Sequence, residues 1–424
     1  MIRTENAGTP VGKGQRELEL YLHIPFCVRK CKYCDFLSAP ADAQVQNAYM
    51  EALLREVRES ADGAGMPTAR EDRTVPPGQR EVTSIYIGGG TPSAVDPAWI
   101  VKLMDCIREY YRVAEEAEIT LEINPGTVTR ESLMLYRSAG INRLSIGCQS
   151  TDDGELTRIG RIHTFTQFLD TYGWAREAGF ANVNVDLMNA LPGQSMMDVE
   201  RNLERILGLD PRPEHLSVYS LIVEEGTPFY QMEQEGLFAA GEMCLPDEEL
   251  EREMYWRTAE LLKAQGYEHS EISNFARPGY ESRHNSGYWE RREYLGFGIG
   301  AASLYENRRF SNTRSLQDYI RYGSDGGQDI REQIEVLSKR EQMEETMFLG
   351  LRMAKGVDCE RFRECFGQTP EEIYRRELEE SIREGLLEVF PESPGQGRRY
   401  ALTKRGVDVS NYVMAKFLQE ERTI

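Results

Sequence analysis

The chain has 424 residues, with 70 Asp and Glu against 50 Lys and Arg, a formal charge of −20 and a pI near 4.9. That length exceeds one ordinary core and predicts two or three domains, or one large α/β barrel with attachments. The acidic balance excludes a general nucleic-acid surface, which needs clustered Lys and Arg to neutralise phosphates, and predicts a solvated acidic exterior.

Only three of the eight cysteines cluster: Cys27, Cys31 and Cys34. Cys106, Cys148, Cys244, Cys359 and Cys365 are scattered, the pattern of reduced thiols in a cytosolic protein. Residues 1–17 carry no apolar core and read as a flexible arm without a signal peptide. No stretch approaches the roughly 18 to 20 apolar residues of a membrane span. The expected location is the cytoplasm, with at most peripheral membrane association.

Residues 18–24 are apolar and read as a first buried strand that runs into the three-cysteine loop. Thiolates so closely spaced suit an iron–sulfur cluster or zinc. Three cysteines leave one iron of a [4Fe–4S] cube open to a small molecule, whereas structural zinc takes four protein ligands. His23 is the candidate fourth ligand, but on an extended strand it would have to bend round Pro25 to reach the loop.

A helix is expected over 45–62, then a Gly/Pro-rich surface insert over 62–79. The strand from Val82 ends in Gly88, Gly89, Gly90, Thr91 and Pro92, a turn whose bare backbone can approach a ligand closely. Helices near 96–113, 130–139, 165–178 and 197–207 then alternate with strands at 118–125, 143–150, 182–188 and 215–222. Six such units predict an α/β fold with an open, partial barrel of parallel strands. In barrels of this type polar groups at the C-terminal strand ends face the site, which singles out Glu122, Asn124, Gln149 and Asp186.

Beyond the barrel the sequence predicts a long helix over 246–266. His284-Asn285-Ser286-Gly287-Tyr288-Trp289 reads as a turn-rich segment, with a loop pinned by its aromatics as the plain alternative to a site. The glycine-rich stretch 294–303 suits close lining of a flat ligand. Helices over 339–354 and 369–385, a hairpin of 386–390 with 398–402 across a turn at 391–396, and a last helix over 404–420 suggest a small helix-plus-wing domain. The acidic balance favours protein packing for that wing over DNA.

Together the Tyr21-to-Cys27 run, the cysteine loop, the glycine turn, residues 122–126 and 142–147, and His284 to Trp289 resemble the radical S-adenosylmethionine (SAM) superfamily. Within it they resemble the oxygen-independent coproporphyrinogen III oxidase, HemN-like family, and more closely its HemW branch of haem chaperones. The resemblance covers about 18–420. It implies a partial (β/α)6 radical SAM barrel over 18–235, an extension with the His-Asn-x-x-Tyr-Trp segment over 236–335, and a C-terminal α+β, winged-helix-like domain over 336–424. It implies a [4Fe–4S] cluster on Cys27, Cys31 and Cys34, and SAM contacts from Gly89, Gly90, Thr91, Glu122, Gln149, Arg161 and Asp186. Tyr21 and Tyr33 match aromatics flanking cluster and adenine.

Two features follow the chaperone branch: Phe36 stands where the decarboxylating oxidases carry a further Cys, and only about 17 residues precede the first strand. Many relatives carry a His in the glycine-rich stretch, where this chain has Ala301-Ala302-Ser303, so His284 becomes the candidate haem contact or axial ligand. The implied activity is haem binding and delivery to apo-haemoproteins, with an electron donor and a homodimer as further expectations. The alternative is a radical SAM enzyme acting on a tetrapyrrole, by oxidative decarboxylation of coproporphyrinogen III or by haem ring opening.

Overall fold

A computed structural model describes residues 17–63, 75–238, 241–322, 329–391 and 397–418. The expected N-terminal arm, most of the 62–79 insert, the hairpin turn at 391–396 and the last residues of the final helix lie outside the described residues.

The six expected strands are β1 (Glu17–Ile24), β2 (Glu81–Gly89), β3 (Arg112–Ile123), β4 (Arg143–Gln149), β5 (Val183–Asn189) and β6 (His215–Ser220). They lie side by side in chain order, and every neighbouring pair is parallel. The crossovers carry α1 (Ala43–Ala61), α2 (Pro97–Tyr110), α3 (Arg130–Ser138), α4 (Asp153–Arg158), α5 (Phe165–Glu177) and α6 (Met196–Leu207). Strand alternation sorts the two faces. Leu18, Leu20, Leu22 and Ile24 of β1 join Leu53, Val57, Ile100 and Leu103 in one apolar core under the helices. The intervening Glu19, Tyr21 and His23 point to the concave face, which is polar throughout.

Both edges of this array continue. After α7 (Pro228–Gln234) and α8 (Glu248–Ala264), β7 (Glu268–Glu271) and β8 (Asn274–Ala276) form a hairpin whose β8 pairs antiparallel with β6. Next come α9 (Arg283–Trp289), then β9 (Tyr294–Phe297), which pairs parallel with β1. The antiparallel strands β10 (Ala302–Tyr305), β11 (Arg308–Asn312) and β12 (Arg331–Val336) complete a 12-stranded sheet, with α10 (Leu316–Arg321) between the last two. A buried ion pair ties this flank down: Arg331 meets Glu56 of α1, and Asn312, Tyr319 and the Gly298 N–H also donate to that carboxylate.

His284 to Trp289 is not a loop but the helix α9, because the Ser282 hydroxyl caps its start by accepting from the Asn285 N–H. In the glycine-rich stretch 294–303 the backbone packs closely on protein: a Cβ on Gly298, whose φ is +98°, would lie 2.5 Å from both the His23 carbonyl and the Tyr49 hydroxyl.

The C-terminal unit has its own core of Met347, Phe362, Tyr374, Leu378, Tyr400, Val413 and Phe417. It holds α11 (Lys339–Gly350), β13 (Val357–Asp358), α12 (Cys359–Phe366), α13 (Pro370–Ile373), α14 (Arg375–Arg383), β14 (Leu387–Phe390), β15 (Arg399–Leu402), α15 (Lys404–Asp408) and α16 (Ser410–Ala415). The expected hairpin is β14 with β15, and β13 adds a third strand. The single helices expected over 369–385 and 404–420 are each broken, at Tyr374 and at Val409, where ψ rises to 30° and 35°.

Candidate functional site

The cysteine loop leaves the C-terminal end of β1 and is fixed from three sides. Its base closes by Cys27 N–H to the Ala39 carbonyl (3.2 Å) and Ala39 N–H to that of Pro25 (2.9 Å). Its middle is held by Lys32, whose N–H donates to Ile159 beyond α4 and whose carbonyl accepts from Phe229 of α7. The turn after β2 runs alongside, with Gly90 N–H on the Ile24 carbonyl (2.9 Å) and Thr91 N–H on that of Phe26 (2.7 Å). This approach explains Gly90, since a Cβ there would lie 2.8 Å from the Phe26 carbonyl and 3.0 Å from the Cys27 sulfur.

Two side chains reach the thiols. The Thr91 hydroxyl donates to Cys27 Sγ at 3.6 Å and Arg161 Nη1 to Cys31 Sγ at 3.8 Å. Asn124 joins them, its amide donating to the Thr91 hydroxyl (2.7 Å) and its oxygen accepting from Arg161 Nη2 (2.6 Å), which also bonds the Gly147 carbonyl. Burial works against the Arg161 charge, but Tyr33 and Cys31 more than offset it and hold the guanidinium protonated. Burial pushes up the Cys34 thiol and the Tyr33 phenol.

Below this rim sit two carboxyls. Glu122 accepts from the Tyr86 hydroxyl at 2.8 Å and from the Gly89 N–H at 3.1 Å. Burial pushes its pKa up to about 7, with nearby Asp186 adding to the effect against those bonds. Asp186 accepts from Asn184 (2.7 Å) and Ser145 (3.2 Å), and burial also raises it. Gln149 adopts φ +67°, an uncommon conformation for a residue with a side chain, as β4 turns into the pocket.

Cys27, Cys31, Cys34, Tyr33, Gly89, Gly90, Thr91, Glu122, Gln149, Arg161 and Asp186 thus line one pocket. Among the described residues no three His, Cys, Asp or Glu side chains are close enough to hold a single metal ion. A cluster asks for something else, since each thiolate binds its own iron. His23 is not a fourth ligand: its Nδ1 bonds the Tyr21 hydroxyl (3.0 Å) and its Nε2 the Leu37 carbonyl (2.9 Å).

Two expected site residues lie elsewhere. Tyr21 is outside the pocket lining, one layer down, where its ring stacks on Tyr86 at 6.3 Å. His284 is also outside it and 1% exposed. Both of its ring nitrogens are engaged, Nδ1 with the Ser84 hydroxyl (2.8 Å) and Nε2 with that of Tyr288 (3.1 Å), so neither is open to a haem iron in this structure. Burial and Arg143 hold its pKa down at about 3. Tyr86 went unnoticed in the sequence. Its signal is the period of two on β2, which places Ser84, Tyr86 and Gly88 on one face.

Residues 21–206 match the Radical SAM superfamily and residues 337–409 the HemN C-terminal domain. The chain is 36% identical over 401 residues to the heme chaperone HemW of Bacillus subtilis, covering 94% of this chain and 99% of that one. This chain belongs to the HemW family. HemW of Lactococcus lactis is 34% identical over 407 residues, 96% of this chain and 99% of that one. HemW of Escherichia coli is 38% identical over 286 residues, covering 67% and 69%. Among solved structures, coproporphyrinogen III oxidase HemN from E. coli, a radical SAM enzyme, shares the fold with a TM-score of 0.76 at 22% identity, over 95% of this chain and 90% of that one. Among the described residues no helix is long and apolar enough to cross a membrane.

Proposed function

We propose that this HemW-family chain is a haem chaperone that carries a [4Fe–4S] cluster on Cys27, Cys31 and Cys34, binds SAM beside it, and delivers haem to apo-haemoproteins. The donor chemistry fits the cluster: three thiols face one pocket, two side chains donate to their sulfurs, and the bare Gly90 backbone abuts Cys27. When bound, the cluster supplies one-electron chemistry to SAM. Thr91 and Arg161 would tune its potential through their sulfur contacts, while Asn124 keeps both aimed. Glu122, Gln149 and Asp186 would orient the polar groups of SAM.

One observation carries the cargo reading. The pocket mouth bears three exposed apolar side chains, Phe36 (69%), Val28 (60%) and Ile162 (49%), beside the cations of Arg29 and Lys30. Such a rim suits a flat apolar macrocycle with two propionates. Phe36 also supplies no thiol where the decarboxylating oxidases have one. The reading places the protein in the cytoplasm, possessing an electron donor and client haemoproteins as partners, and working as a homodimer.

The test is anaerobic. The reconstituted protein receives SAM, reductant and either haem or coproporphyrinogen III, with products followed by mass spectrometry and haem by absorbance. Haem uptake without chemical change, weakened at least about tenfold in Phe36→Asp while SAM binding is kept, is the expected result. Loss of carboxyl groups or an opened macrocycle, dependent on the three cysteines, would establish the alternative, a radical SAM enzyme on a tetrapyrrole.

A further inference from the structure

The concave face of the sheet is polar along its whole depth, and its strand-start end is closed by α9. There Glu118 accepts from the His284 N–H at 3.2 Å, and a Cβ on Gly287 would collide with the Glu19 carboxylate, so the helix sits directly on the strand starts. The His284 ring reaches inward from this plug. It stacks on Tyr86 with centroids 5.2 Å apart and planes 25° from parallel.

Tyr86 passes that contact up the barrel. Its hydroxyl donates to Glu122 Oε1 at 2.8 Å, and Glu122 Oε2 accepts from the Gly89 N–H at 3.1 Å. The pair is packed across the bare backbone between them: a Cβ on Gly88 would lie 2.9 Å from the Tyr86 ring and 3.0 Å from the Glu122 carboxyl. Tyr86 therefore has the His284 ring below it as its nearer stacking partner, the Tyr21 ring at 6.3 Å as a second, one acceptor above, and no room to shift toward Gly88.

We propose that His284 is a positioning residue of the SAM pocket: it holds the Tyr86 ring, and Tyr86 holds the Glu122 carboxylate at Gly89. This rests on the reading that the pocket binds SAM. A haem ligand would need an open ring nitrogen at the pocket, whereas a positioning residue needs a fixed ring beneath it, and His284 supplies the second.

The stack and the hydrogen bonds of His284 can be separated by substitution. His284→Phe keeps a flat ring on Tyr86 but loses both nitrogens. His284→Gln keeps polar partners for Ser84 and Tyr288 but loses the stack. SAM binding to the reconstituted protein is read by equilibrium dialysis and by the SAM-induced change in the electron paramagnetic resonance spectrum of the reduced cluster. Haem uptake is measured in parallel.

The expected result is SAM affinity about tenfold weaker in His284→Gln and within about threefold of wild type in His284→Phe. Tyr86→Phe, which removes one hydroxyl and leaves the ring, weakens SAM as His284→Gln does, and the double variant is no weaker than Tyr86→Phe alone. Tyr86→Phe also carries the test if His284→Gln does not fold. Equal loss in His284→Phe and His284→Gln, additive losses, or lost haem uptake with unchanged SAM affinity would overturn the proposal. Absence of SAM binding by the wild type would instead refute the reading of the pocket, and the proposal with it.

Discussion

Replacing Glu122 by Gln should make the cluster-free protein more stable while it loses SAM. Burial, with Asp186 close by, pushes this carboxyl from the usual 4.5 up to about 7. Holding it ionised inside the fold costs about 1.4 kcal/mol per pH unit of that displacement, about 3 to 4 kcal/mol in all. Below about pH 4.5 the group is protonated in folded and unfolded chains alike, and nothing is lost. Between 4.5 and 7 the unfolded chain releases its proton while the folded one keeps it, so stability falls as pH rises. Above 7 the full penalty applies. Gln carries no charge and can keep both bonds, its oxygen accepting from Gly89 and its amide donating to the Tyr86 hydroxyl, which reverses its role. Urea unfolding of both proteins at pH 5 and pH 8 should show a small difference at pH 5 and a variant more stable by about 3 kcal/mol at pH 8. A gap that stays constant or shrinks as pH rises would refute the reasoning.

Gly90→Ala should lower the iron and sulfide content of reconstituted protein while leaving the circular dichroism of the fold intact, because the new methyl meets the Phe26 carbonyl at 2.8 Å and Cys27 Sγ at 3.0 Å. Glu56→Ala strands the guanidinium of Arg331, which is 2% exposed, and removes the acceptor of Asn312 and Tyr319. Its unfolding free energy should fall by about 3 to 5 kcal/mol, read from the urea midpoint.

The barrel was legible because each of its parallel strands shows an apolar run next to helical spacing, and the cysteine loop and glycine turn announce themselves in single stretches. The sheet edges were not. Glu268–Glu271 and Asn274–Ala276 are strands of four and three residues, too short for alternation to register, and they exist by pairing with β6 and each other. The helix Asp153–Arg158 was missed although Asp152 caps it by accepting from the Gly154 and Glu155 N–H groups, a local signal present in the sequence. Asn124 was noticed as one polar strand end among several. Its role between Thr91 and Arg161 is a matter of three segments meeting, which no local pattern encodes.

His284 shows where weighting only the C-terminal strand ends fails. Inward residues of a parallel barrel recur at every second position over the full strand, so the polar face that presents Glu122 at one end also presents Ser84, Glu118 and Glu19 at the other. A histidine bonded to that lower layer is joined to the upper one through Tyr86, not through open space. The apolar rim of Phe36, Val28 and Ile162 belongs to the upper end alone. Cargo uptake and SAM binding should therefore be separable from opposite ends of the same barrel, Phe36→Asp acting on the first and His284→Gln on the second.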